Sequence, residues 1–290
     1  MAESYRQAAG PTSREGTVDL FVSTAFARPS WAGESRCQTW PVGSIVWGRE
    51  IAEVYDETFA AQSEPSVVDP MVDLLAALTG DGAALEFAVG TGRIALPLQA
   101  RGVPVQGVEL SPDMVEQLRG KPGGKAVPVT VGDMATTRLS KRFDLVYIVA
   151  NSIMNLTTQE EQIAVFSNAA AHLAMGGLFV IELIVPQLRR VPLSEVARVF
   201  RLDPEHVGIE TFDDVVGQVA WSHHWIEAAG RLVRHSAPYR YIWPSELLLM
   251  ARLTGFELRD RWGGWDRSPF DSESAKQVAV FVKTTQAGQE

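Results

Sequence analysis

The segment Leu85-Glu86-Phe87-Ala88-Val89-Gly90-Thr91-Gly92-Arg93 carries the clearest chemical signal in the chain. An apolar run passes into a glycine turn and then into a helical pattern, so backbone N–H groups can approach a ligand closely. Glu86 lies just before the turn, where a pyrophosphate would be repelled and a ligand ammonium favoured. Glu109 ends the next apolar run and suits a pair of ribose hydroxyls. Asp133, in Gly132-Asp133-Met134, follows the run after that, where a carboxylate can accept from an adenine amino group. A fourth run ends in Ala150-Asn151-Ser152 with Asn155 just beyond, a polar mouth on an apolar strand. Taken alone, Gly90-Thr-Gly92-Arg-Ile-Ala95 also fits the G-x-G-x-x-A fingerprint of dinucleotide binding.

These residues need strands to carry them and helices to cover those strands. Helical spacing of Ile51, Val54, Tyr55, Phe59 and Ala60 opens the regular part, and a second helix is expected near Val67 to Leu78. Strands are expected at Ala83 to Val89, Val103 to Leu110, Val127 to Val131, Phe143 to Val149 and Leu178 to Val185. Helices are expected from Gly92 to Ala100, from Pro112 to about Leu118 behind the cap Ser111, and from the Thr158/Glu161 capping box to about Ala174. Gly176-Gly177 should stop that last helix. Repeated βα units with apolar strands imply an α/β fold, a doubly wound and mostly parallel sheet with its ligand at the carboxyl ends of the strands. Residues 196 to 243 instead alternate and turn at Glu227 to Gly230, which reads as an antiparallel β flap inserted after the fifth strand. Pro244 opens a helix to about Thr254, and Phe256 to Trp262 and Val278 to Thr284 complete a seven-stranded sheet. The expected partition is an arm over residues 1–47, a lid or disordered, and a catalytic domain over 48–290 with its flap at about 190–243.

Composition narrows the function. Lys and Arg number 26 against 35 Asp and Glu, a net charge of −9 with no basic tract, which argues against a nucleic-acid partner. The lone Cys37 forms no internal disulfide or thiolate cluster, no apolar run is long enough to span a membrane, and residues 1–30 lack a signal peptide's apolar core. A cytoplasmic protein is expected, with no membrane partner, as monomer or homodimer. A metal role for His223-His224 is excluded, because adjacent strand residues point apart.

Glu86, the glycine turn, Glu109, Gly132-Asp133-Met134 and the Ala150 mouth together resemble the class I S-adenosylmethionine-dependent methyltransferases over about residues 50 to 284. The likeness is to the bacterial small-molecule and natural-product enzymes of that class. Their motif reads acidic-x-G-x-G-x-G, and here Ala88 replaces the first glycine. The resemblance implies a Rossmann-like methyltransferase fold and S-adenosylmethionine as cofactor. It implies that Glu86 and the backbone of Ala88, Gly90 and Gly92 hold the methionine part and Glu109 the ribose, with Leu110 against the adenine. Asp133 and Met134 would read the adenine edge, Ala150 would lie near the methionine end, and Tyr55 would close over the cofactor. An NAD-dependent oxidoreductase is the remote alternative, and it leaves Gly132-Asp133-Met134 unexplained. A protein that binds the cofactor without transferring methyl is a second.

Methyl transfer from a sulfonium needs alignment, exclusion of water and a nucleophile stripped of its proton. Among five histidines, His172 reads as a surface or helix-end residue and His206 shows no partner pattern. His223 is favoured as base because alternation places it on one flap face with Trp221 and Trp225, a lining for an aromatic acceptor. Glu182, an apolar strand's lone carboxylate, either finds a hydrogen-bond partner or faces the substrate, and Asn155 is a substrate-facing candidate. Tyr239, Tyr241 and Trp243 alternate on the returning strand and complete the expected substrate wall. The expected acceptor is a small aromatic or heteroaromatic molecule reacting at an indole-type carbon or an amine. A sugar amine, a hydroxyl or a carboxylate is the alternative.

Overall fold

The computed structural model describes residues 47–187, 196–228 and 230–284, all within one compact unit, Val42–Glu290. Of the arm expected over residues 1–47, all but Trp47 lies outside the described residues.

Helices α1 (Arg49–Thr58) and α2 (Pro65–Thr79) lead into β1 (Ala84–Phe87). Then α3 (Ala95–Ala100), β2 (Val105–Glu109), α4 (Pro112–Gly120), β3 (Val129–Val131) and β4 (Phe143–Ile148) alternate, followed by α5 (Gln159–His172) and β5 (Leu173–Ile184). An antiparallel sheet of β6 (Ala197–Leu202), β7 (His206–Asp214), β8 (Val219–Ala228) and β9 (Arg231–Arg240) comes next. Helix α6 (Pro244–Leu253), β10 (Phe256–Trp262) and β11 (Lys276–Lys283) end the described chain. The seven-stranded sheet runs β10-β11-β5-β4-β1-β2-β3, and β11 alone opposes both its neighbours. This is the doubly wound sheet with an inserted flap that the alternation implied.

The local chemistry explains the boundaries. Ser111 Oγ accepts from the Met114 N–H and Pro112 takes the first helical position, so α4 starts at the end of β2. Thr158 and Glu161 cap α5 reciprocally. β4 is apolar on both faces because Val146 and Ile148 pack under α5 and α6 while Leu145 and Tyr147 pack under α2 and α3. Phe166 stands edge-on to Phe179 and Phe281, 5.1 and 5.9 Å between centroids, each pair adding about 1 kcal/mol to simple burial.

Two expected boundaries move. Helix α5 stops at His172, before Gly176-Gly177, and these glycines lie inside β5, where Gly176 takes φ +79° and the pairing with β4 slips between Phe143 and Leu145. Glycine here makes a bulge instead of a helix stop. Helix α3 starts at Ala95 instead of Gly92, because residues 88–92 are spent on a turn with Ala88, Gly90 and Gly92 all at positive φ.

Candidate active site

The carboxyl ends of β1, β2 and β4 open into a cavity of about 340 Å³, roofed by the flap and closed on one side by α1. Its floor is made by backbone in unusual conformations. Ala88 at the end of β1 has φ +55°, and Ala150 and Asn151 at the end of β4 have φ +53° and +62°. Left-handed Ala costs about 1 kcal/mol or more, so these bends are held by their surroundings. Glu182 supplies part of that hold: its carboxylate accepts from the Ala150 N–H (3.1 Å) and from Trp265 Nε1 (2.8 Å). Asn151 Oδ1 accepts from the Ile184 N–H at 2.6 Å. Glu182 thus meets the first of its two expectations, a hydrogen-bonded carboxylate. It lines a second chamber of about 530 Å³, with Arg93 and Lys276, that shares Gln62, Ala150, Asn151 and Ile184 with the first.

Glu109, 5% exposed, spans the turn: Oε2 accepts from the Gly90 N–H (2.8 Å) and Oε1 from the Ser111 N–H (2.9 Å). Burial pushes its carboxyl above the usual range, and those backbone donors pull it partly back. Asp133 Oδ1 accepts from the Ala135 N–H, and Asp133, Met134, Leu110 and Ala88 line the same cavity. Tyr55 and Phe59 face it from α1, and Asn155 from the short turn after β4. Helix α1 is tied to the glycine turn from outside: Asp56 accepts from Thr91 Oγ1 (2.7 Å) and pairs with Lys121 Nζ (2.6 Å), which also donates to the Thr91 carbonyl.

Glu86 and Gly92 are not among the lining residues. Leu85 and Phe87 point to the core, so alternation sends Glu86 to the opposite face, under the glycine turn. There Tyr147 O–H donates to it at 2.8 Å, and burial pushes its carboxyl up to about 8. Gly92, at φ +83°, packs where a Cβ would meet Leu118 and Leu96 at 3.0–3.1 Å. Both residues shape the turn from behind.

The flap corrects the expected parity. Ser222, His224, His235, Ala237 and Tyr239 line the cavity, together with Glu210 of β7. Trp221, His223 and Trp225 lie on the other face, where His223 hydrogen-bonds Ser236 and Thr211 at 2.9 and 3.3 Å. The period of two was right and the inward set was reversed. Ala220 and Ile226, both buried, mark the inward face, and the indoles sit half-buried outside it. Tyr241 and Trp243 also leave the cavity: β9 ends at Arg240, and Tyr241 packs in the core with Trp243 against it. Of the expected substrate wall, Tyr239 remains, its O–H donating to Glu210 at 2.9 Å.

Two histidine readings also change. His172 is 1% exposed and structural, accepting from the Leu139 N–H at 2.9 Å. His206 does have a partner, His224, at 2.8 Å. Residues absent from the sequence reading of the site are Glu210, Ser222 and Ala237 of the flap, and Trp47, whose ring lies 4.7 Å from His235. A buried network holds this roof in place. Arg240 bonds Gln162 and Glu246 at 2.6 Å each, and Gln162 Nε2 donates to the Leu156 carbonyl at 3.0 Å, beside Asn155.

A profile described as a methyltransferase domain matches residues 84–177. The CcbJ methyltransferase of Streptomyces caelestis is 32% identical, with TM-score 0.73 over 82% of this chain and 98% of that one. The cypemycin N-terminal methyltransferase of a Streptomyces species is 26% identical over 239 residues, 79% of this chain and 98% of that protein. The dTDP-3-amino-3,4,6-trideoxy-alpha-D-glucopyranose N,N-dimethyltransferase of Streptomyces venezuelae is 30% identical over 137 residues, 45% of this chain and 56% of that protein. The chain belongs to the class I S-adenosylmethionine-dependent methyltransferases. It is an enzyme that transfers methyl from S-adenosylmethionine to small molecules. Among the described residues no helix is long and apolar enough to cross a membrane.

Proposed function

We propose that the acceptor is the amine nitrogen of a small natural-product intermediate, bound under the flap without a phosphate group. One observation carries this reading: among the described residues the cavity is lined by three carboxylates, Glu109, Asp133 and Glu210, and by no Lys or Arg, with Arg198 paired to Glu210 from outside the lining. Such a wall favours cations and opposes carboxylate or phosphate acceptors. When bound, S-adenosylmethionine supplies an electrophilic methyl on a sulfonium. Its positive charge and hydroxyl-bearing ribose suit this donor set, with Glu109 and Asp133 at the nucleoside end and Ala88, Gly90 and Ala150 offering backbone at the methionine end. A methionine carboxylate would find Arg93 and Lys276 in the adjoining chamber. Glu86 and Gly92 would act through the shape of the turn, and Tyr55 by closing over the site. Glu210, held by Arg198 Nη2 at 2.6 Å and by the Tyr239 O–H, then offers its remaining lone pairs to an amine N–H.

The named relatives support the amine part of this reading, since the cypemycin enzyme acts at an N-terminus and the deoxysugar enzyme is an N,N-dimethyltransferase. The latter's dTDP-linked sugar carries a diphosphate, so the absence of phosphate rests on the cavity's own lining. An indole-carbon acceptor loses its main support, because Trp221 and Trp225 face away from the cavity. The test is product formation with labelled methyl on a panel of unphosphorylated amines (amino sugars, cyclic secondary amines, short peptides) beside phenols, carboxylates and indoles. N-methyl products are expected, with phosphorylated counterparts turned over less well. Turnover confined to oxygen or carbon acceptors would sink the proposal.

A further inference from the structure

The register of β7, β8 and β9 brings His206, His224 and His235 to one face of the flap. His224 lines the cavity, and both its ring nitrogens are engaged: Nε2 lies 2.8 Å from Ser222 Oγ and Nδ1 lies 2.8 Å from His206 Nε2. Ser222 also lines the cavity. A hydrogen-bonded chain therefore runs from the cavity wall, through His224, to a histidine that is 4% exposed. His206 Nδ1 has no hydrogen-bond partner among the described residues, so the hydrogen bond described for its ring is the one to His224.

We propose that the acceptor's proton leaves through Ser222 to His224, with His224 as the base and His206 as the positioning residue behind it. This rests on the amine reading above. The step balances as follows. The acceptor's N–H bond breaks and its proton goes to Ser222 Oγ, while the Ser222 proton passes to His224 Nε2. His224 Nδ1 keeps its proton and donates it to His206 Nε2, and the His206 ring stays neutral. The nitrogen keeps the electron pair with which it attacks, and the positive charge moves from the ammonium to the His224 imidazolium. Burial first, and then neighbouring positive charge, pushes His224 down to about 4, so its ring is neutral before the acceptor binds. The groups facing this chain are Arg201 from β6, Asp203 before β7, Glu210 on β7 with its partner Arg198 from β6, His235 on β9 and Tyr55 on α1, and His223 acts on it from the other face of β8.

The experiment compares two acceptors: an aliphatic amine, protonated at pH 7, and an aromatic amine or O-alkylhydroxylamine, already neutral there. His224→Gln should lower kcat on the aliphatic amine about 100-fold and on the neutral amine less than about threefold, with cofactor affinity by calorimetry unchanged. The gap should close as pH rises towards about 10, where the aliphatic ammonium gives up its proton to solvent without help. Ser222→Ala, which removes one hydroxyl, should show the same split at about tenfold and stands in if His224→Gln does not fold. An equal loss on both amines, or no loss on the aliphatic one, overturns the relay. Failure of the unaltered enzyme to methylate either amine overturns the amine reading instead.

Discussion

The floor and the roof of the cavity are built by different means. The floor is backbone: Ala88, Gly90, Ala150 and Asn151 at positive φ, with N–H groups tied to Glu109 and Glu182. The roof is side chains on a four-stranded sheet, where position depends on which of two faces a residue takes. A conformational demand for glycine is written at fixed places in the sequence, whereas a strand's inward face depends on what it packs against. An error of one residue leaves a floor nearly intact and inverts a roof.

The sharpest way to break this contrast is at Glu86, the floor carboxylate that faces away from the cavity. Its folded-state pKa of about 8 lies above the ordinary 4.5, so the folded protein keeps a proton that the unfolded chain gives up. The stability this contributes is full below pH 4.5 and is lost as pH rises towards 8. The loss is about 1.4 kcal/mol per pH unit, roughly 4 kcal/mol between pH 5 and 8. Urea unfolding of the unliganded protein at those two pH values should show it, and Glu86→Gln should flatten it. A wild-type stability that is level or rises over this window would mean that Glu86 is ionised beneath the turn.

At Glu109 the floor does face the cavity. Removing the carboxylate frees the Gly90 and Ser111 N–H groups and takes away the proposed ribose partner. Glu109→Ala should weaken S-adenosylmethionine binding about 100-fold, near 2.7 kcal/mol, by calorimetry. Retained affinity would show that the turn holds the nucleoside without it. A smaller effect sharpens the roof's parity. Tyr239→Phe, which removes the donor to Glu210, should raise the acceptor KM about fivefold with cofactor affinity unchanged. Trp225→Phe, on the outer face, should leave KM within about twofold. Equal effects would return the indole to the acceptor wall. The smallest effect concerns Ala88. At φ +55°, Ala88→Gly relieves strain, and a gain of about 0.5 kcal/mol, or 1–2 °C in Tm, is expected. A lower Tm would show that the methyl group packs more than it strains.

Much of the fold was legible from Leu85 onward because each element carries its own punctuation. Ser111-Pro112 and Thr158/Glu161 mark helix starts, and paired apolar runs mark strands buried on both faces. Gly176-Gly177 misled because two glycines suit a bulge as well as a helix stop, and only the pairing with β4 decides. The candidate cofactor residues were readable for the same reason as the floor. The roof was not, because two indoles beside His223 outweighed the quieter Ala220-x-Ser222-x-His224-x-Ile226, whose small and apolar members form the inward face. Glu210 and the Arg240–Gln162–Glu246 network left no local signal, since their partners lie on other elements.

The tether between α1 and the glycine turn has a kinetic consequence. Asp56 sits on the outside of the helix that carries Tyr55, so swinging that helix away breaks one ion pair, to Lys121, and one hydrogen bond, from Thr91. Lys121 and Asp56 are partly open to solvent, within reach of screening by salt. With the cofactor placed as proposed, this clasp lies outside the cavity and should lengthen the nucleoside's dwell time, so rising ionic strength should hasten its departure while leaving the methyl-transfer step alone.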